Sequence, residues 1–169
     1  MAHKTAAEFA AELEQDPAWR AERDRREREL AERAEALRVE EQELVAELRS
    51  VGYEVDSVYD LVNNTPHPHL KRRFVGPYPL AYPILVRHLS RAYSRPIREG
   101  VIRALTVRDG GSAVETALLA EFDRESDSQV RWVLANALRT AMPYHRRRKR
   151  PAIAQTLKGG GDAHQEQAV

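Results

Sequence analysis

A chain of 169 residues is long enough for one domain with a buried core and too short for two large ones. Charged residues make up 31% and aromatics 7%, and there is no cysteine, which excludes a disulfide framework and thiolate chemistry. The net charge of +1 is unevenly placed, with −5 over residues 1–51, +2 over 52–142 and +4 over 143–169. Abundant Ala, Glu, Arg and Leu suit helix rather than sheet. The run Met1, Ala2, His3, Lys4 lacks the apolar core of a signal peptide, and the apolar stretch around 79–86 is too short to span a bilayer. A cytoplasmic protein with no membrane contact is the expectation.

Thr5 and Glu8 form a capping-box pattern that opens a short helix. Asp16 and Pro17 then start a second helix, with Asp16 as N-cap and Pro17 at the first helical position. Nothing in the sequence breaks that helix before Gly52. Its first half is nearly all charge, with Glu22/Arg26 and Asp24/Arg28 at favourable i,i+4 spacing. A seam follows: Leu30, Ala34, Leu37, Glu41, Leu44, Leu48, Val51. Its 3-4 spacing fits a helix packed on its own domain, which predicts a monomer, or a coiled-coil dimer over 30–51.

Residues 57–62 read as a short helix ending at Asn63 and Asn64. Residues 65–79 carry four prolines and a glycine and read as a long loop. Four helices are expected after it. The first covers about 80–90, with Ile84, Leu85 and Leu89 inward. Ser94 caps the second, whose inner face is Ile97, Val101, Ala104 and Leu105. Ser112 and Glu115 read as a capping box for the third, with Val114, Leu118 and Phe122 inward. Asp127 caps the fourth, with Val130, Val133, Leu134, Ala137, Leu138 and Ala141 on one stripe. The second pair repeats the first at an offset of 33 residues. From Pro143 the pattern stops. A basic run and a polar tail follow, with room for a short helix at 152–157 and the rest expected to be disordered.

The pattern Asp127, Val130, Arg131, Ala137, Leu138, with its first copy at Ser94, Ile97, Arg98, Ala104, Leu105, resembles the second helix of HEAT and HEAT-like repeats. The resemblance covers about residues 80–142. The 33-residue period is shorter than the usual HEAT length of roughly 40–47. It implies an all-α fold: a short right-handed α-solenoid of helix pairs, with the long N-terminal helix packed as a cap. It also implies a structural ladder of Arg98 and Arg131 with Asp127, and B helices that line a concave face. Two pairs are too few to stand alone, so the 57–63 helix and the seam are expected to act as a degenerate leading pair. The resulting division is an N-terminal helical hairpin over 1–51, a helical-repeat domain over 52–142 and a basic tail over 143–169.

No P-loop, nucleophile elbow, zincin motif or dinucleotide turn is present, so no enzyme activity, catalytic residue or cofactor is expected. His67 and His69 make a pair without a third ligand, so no metal is expected. His88 reads as a partly exposed helix residue. Trp132 falls opposite its helix's apolar stripe, on the side of Asn136 and Arg139, and the offset places Glu99, Arg103 and Thr106 at matching positions. An aromatic beside an arginine on a polar face suits an anchor for another protein, as adaptor or inhibitory partner. The alternative is nucleic-acid binding, through Lys71, Arg72 and Arg73 beside Phe74, and through Arg146, Arg147, Arg148, Lys149 and Arg150 beside Tyr144.

Overall fold

The computed structural model describes residues 5–163 and is all-α, with no strand among them. The chain divides into two compact units, with the division between residues 39 and 40. In the first, α1 (Ala6–Leu13) has the expected box: Thr5 N donates to Glu8 Oε2 at 2.8 Å and Glu8 N to Thr5 Oγ1 at 3.3 Å. Helix α2 (Pro17–Glu40) is capped by Asp16 Oδ1, which accepts from Ala18 N at 2.8 Å. Charged side chains surround α2, and it buries none of its residues. Exposed pairs such as Arg26–Glu22 at 2.9 Å and Arg25–Glu22 at 2.6 Å line it, each a weak, solvent-screened contribution.

The expected continuous helix is broken at Glu41, and α3 covers Gln42–Ser50. Glu41 is buried, and its Oε2 accepts from Ser57 Oγ at 3.1 Å and Val58 N at 3.0 Å. Burial pushes its pKa up, against the opposing pull of those two hydrogen bonds. The residue that interrupts the seam therefore binds the start of α4 (Val58–Val62). The seam is split accordingly. Leu30 is 61% exposed and Ala34 is exposed, whereas Leu44 and Leu48 are fully buried. Helix α3 ends in a Schellman motif at Gly52 (φ +96°), with Tyr53 N bonded to Leu48 O and Gly52 N to Arg49 O.

A 3-10 turn (Pro79–Ala81) leads into α5 (Tyr82–Leu89), followed by α6 (Arg95–Ala104), α7 (Gly111–Arg124) and α8 (Ser128–Ala141). Matched positions of the 33-residue offset are buried alike: Leu85 and Leu118, Leu89 and Phe122, Ile97 and Val130, Val101 and Leu134, Leu105 and Leu138. Each such side chain contributes roughly 1.5–3 kcal/mol by leaving water. Helices α3, α5 and α7 pack in sequence, as do α4, α6 and α8, with α5 against α6 and α7 against α8 joining the two rows. The free side of the first clear pair is thus covered by α3 and α4. Gly100 permits the closest approach, because a Cβ there would lie 2.5 Å from Val58 Cγ1 and 3.0 Å from Tyr59.

The two copies differ in their polar details. Asp127 caps α8 by accepting from Gln129 N at 2.8 Å and Val130 N at 3.2 Å, and these bonds hold its pKa below the ordinary aspartate range. Ser94 makes no side-chain cap; its N–H and hydroxyl both go to Glu40. The expected box at Ser112 is absent, since α7 starts at Gly111 (φ +69°) and Glu115 is buried. The expected ladder with Asp127 is also replaced. Arg131 lies over the Phe122 ring at 4.2 Å and donates to the carbonyls of Phe122 (2.8 Å) and Glu125 (3.0 Å). Arg98 reaches the α7 end instead, pairing with Glu121 at 3.2 Å and with Glu125. His88, expected at the surface, is buried between Tyr93 Oη at 2.6 Å and Glu47 at 3.2 Å, because α3 covers α5.

The basic segment is helical rather than disordered through residue 163. It forms α9 (Tyr144–Arg147) and α10 (Pro151–Ala163), and α10 packs on α8 with Ile153 fully buried. The expectation for the last six residues lies outside the described ones. Gly100→Ala should destabilise the protein by roughly 1–3 kcal/mol through overpacking. Gly159→Ala, in open space on α10, should instead stabilise by roughly 0.5–1 kcal/mol; urea midpoints check both. Asp127 should add stability at neutral pH that is lost as pH falls through its lowered pKa. The gap in urea midpoint between wild type and Asp127→Asn should therefore narrow in acid.

Candidate partner-binding groove

The second unit carries an open groove of about 610 Å³ where the end of α6, the middle of α8 and the loop before α5 meet. It gathers four residues of the face expected from the sequence: Arg103 and Thr106 from α6 and its end, and Trp132 and Asn136 from α8. Trp132 is half-buried, with its body against the core and one side on the groove. Asn136 Nδ2 donates to Trp132 O at 3.0 Å, which fixes the amide's orientation. Arg103 is exposed, and Glu99 lies 3.4 Å from it. Glu99 does not line the groove; it is mostly buried and held more closely by Arg95 at 2.9 Å. Arg139 is exposed outside the lining, and its carbonyl accepts from Arg147.

The other wall comes from residues the sequence reading did not select. Asn64 bridges the loop ends, donating from Nδ2 to Gly76 O at 2.7 Å while Gly76 N returns to Asn64 O at 3.2 Å. Gly76 has φ +126°, a conformation that disfavours a side chain. An edge-to-face chain of rings then runs Tyr53–Phe74 (5.3 Å), Phe74–Tyr78 (6.2 Å) and Tyr78–Tyr82 (5.7 Å). Tyr78 Oη donates to Ala104 O at 2.9 Å, and burial pushes its pKa to about 12. Tyr82 Oη donates to Asp109 Oδ1 at 2.9 Å; burial and that carboxylate raise its pKa. These bonds pin the proline-rich loop to α5 and α6, so one edge of the groove is built rather than open. Tyr78 and Tyr82 at i,i+4 spacing were visible in the sequence, but nothing local says that they meet residues beside Trp132.

The cationic residues are dispersed. Arg73 pairs with Asp56 at 2.9 Å, Arg146 with Glu115 at 3.1 Å and Arg150 with Asp123 at 3.4 Å. Arg147 lies 5.7 Å from the Tyr144 ring centre, and Arg72 Nε is buried without a hydrogen bond. Among the described residues Lys71, Arg148 and Lys149 form no ion pair, and all three are exposed. Two residues of the C-terminal run, Arg146 and Arg150, thus lie against acids of α7, while Arg148 and Lys149 stay exposed. His67 and His69 stand 6.1 Å apart in the loop, and His67 Nδ1 accepts from His69 N at 3.2 Å. Among the described residues no group of three or more His, Cys, Asp and Glu is placed to hold a metal ion. No helix among them is long and apolar enough to cross a membrane.

Glu115 is buried and depends on Arg146 for its charge partner. Arg146→Ala should destabilise the protein, because the buried Glu115 Oε1, which has no aligned hydrogen bond, would lose the guanidinium 3.1 Å from it. Arg148→Ala should stay within about 0.5 kcal/mol of wild type; paired urea titrations compare them. Searches of protein-family models, curated proteins and solved structures find no match to this chain.

Proposed function

We propose that the second unit is a short HEAT-like stack that binds another protein without catalysis. The α4, α6 and α8 row serves as its recognition face. The groove carries this reading, because it brings Arg103, Trp132 and Asn136 from two repeat-related helices against a pinned loop. A half-buried tryptophan beside an arginine is the chemistry of an interface anchor, while the polar rim keeps the surface soluble. The repeat-like register of buried positions and the stacking of α3–α8 support the HEAT-like assignment. The packing of α3 and α4 at one end and of α10 at the other supports a single folded module. A cytoplasmic adaptor or inhibitory partner fits this surface.

Nucleic-acid binding is the lesser reading, because Arg73 and Arg146 already lie against the carboxylates of Asp56 and Glu115. Recovery of the native partner from cell extract tests the proposal. Trp132→Ala should reduce recovery about tenfold or more, with a helical spectrum like that of wild type. Arg148→Ala should recover the partner as well as wild type. Equal recovery by wild type and a folded Trp132→Ala would assign the binding surface elsewhere.

A further inference from the structure

We infer that the groove's occupant is an extended segment of the partner that carries an apolar side chain next to a carboxylate. The inference rests on the protein-binding reading above and names the chemistry of the bound segment. Its first support is the pattern of unspent hydrogen-bonding groups. The amide nitrogens of Asn64 and Asn136 are each given to a backbone carbonyl, so both side chains are locked, and no described residue donates to their oxygens. Neither oxygen is buried without a partner. Asp109 gives one oxygen to Tyr82 and keeps the other. The groove thus offers three acceptors. An extended peptide backbone supplies N–H donors at its edge, which such acceptors take.

The second support is Arg103, the one cation among the described residues of a lining that also holds the Asp109 carboxylate. Its intramolecular contact with Glu99 is long, at 3.4 Å, and exposed, so it holds the guanidinium weakly. A carboxylate arriving in the groove gains a charge-assisted and geometrically matched partner. Between these polar groups Trp132 and Tyr78 offer apolar surface, with the Tyr78 hydroxyl already turned to Ala104. A cavity of about 610 Å³ suits a short segment rather than a broad flat contact.

The test reads Trp132 fluorescence in a Trp19→Phe background of the full chain. Three pools of blocked hexapeptides serve as probes, identical except that the residue beside a fixed leucine is Glu, Gln or Lys. The Glu pool should shift the emission at about tenfold lower concentration than the Lys pool. Arg103→Glu should invert that order, and Arg103→Gln should abolish it with binding of the Gln pool retained. Equal response to the three pools, no response to any, or an order that survives both substitutions would overturn the inference. So would N-acetylglutamate binding as tightly as the Glu pool, since the site would then take a small acid rather than a segment. Partner recovery that still depends on Trp132 would leave the binding face standing while this assignment fell. Recovery independent of Trp132 would remove the reading on which it rests.

Discussion

The structure depends on covering both sides of α6. This helix buries Ile97, Val101, Ile102 and Ala104, so it needs a neighbour on each flank and a partner helix beneath. Helix α8 supplies one flank and α5 the partner, as any repeat pair would. The other flank falls to α4, a helix of only five residues. So short a helix cannot cover much surface unless it comes very close, and Gly100 provides that closeness. A short helix is also poorly held by its own hydrogen bonds, because nucleation is costly. Hence α4 has an unusually full set of N-terminal ligands: the Ser57 hydroxyl, the Asp60 carboxylate and the buried Glu41 carboxylate. The break between α2 and α3, the buried acid and the glycine on α6 belong to one solution of one packing problem.

The opposite end is closed by a different means. Helix α8 would expose a flank, and α10 packs against it with Ile153 as the buried residue. The connection is fastened electrostatically. Arg146 and Arg150 pair with Glu115 and Asp123, which lie eight residues apart on α7. The basic residues after α8 are therefore partly matched by acids of α7. Charges placed far apart in sequence neutralise each other across a fold, and fewer remain to attract a polyanion.

The groove is a by-product of this arrangement. Because α4 is short, the chain after it has no helix to follow and runs over the ends of α5 and α6. The ring chain from Tyr53 to Tyr82 fastens that loop, and the Asn64–Gly76 pair closes its base. The loop then faces the side of α8 that carries Trp132, and a concave surface results. A regular array with a full-length helix in place of α4 would have needed a shorter connection at this point.

The sequence alone determined the helical class, the register of the two pairs and most of the core. These rest on short-range periodicity: Leu85 with Leu118 and Val101 with Leu134 sit at equivalent points of equivalent helices, and identical spacing forces identical burial. It also placed Arg103, Thr106, Trp132 and Asn136 on one face, because the offset carries side-chain direction with it. The caps at Thr5, Asp16 and Asp127 were legible because a cap is a contact between residues two or three apart. What only tertiary structure decided is which polar residues have distant partners. Glu41 looked like a flaw in a seam until α4 arrived at its carboxylate. His88 looked exposed until α3 covered it, and Ser94 looked like a cap until Glu40 took its hydroxyl. The basic tail looked unattached until α7 offered Glu115 and Asp123. Charge and hydrogen bonding are satisfied by whichever group comes near, and nearness across elements is set by packing, which local spacing does not encode.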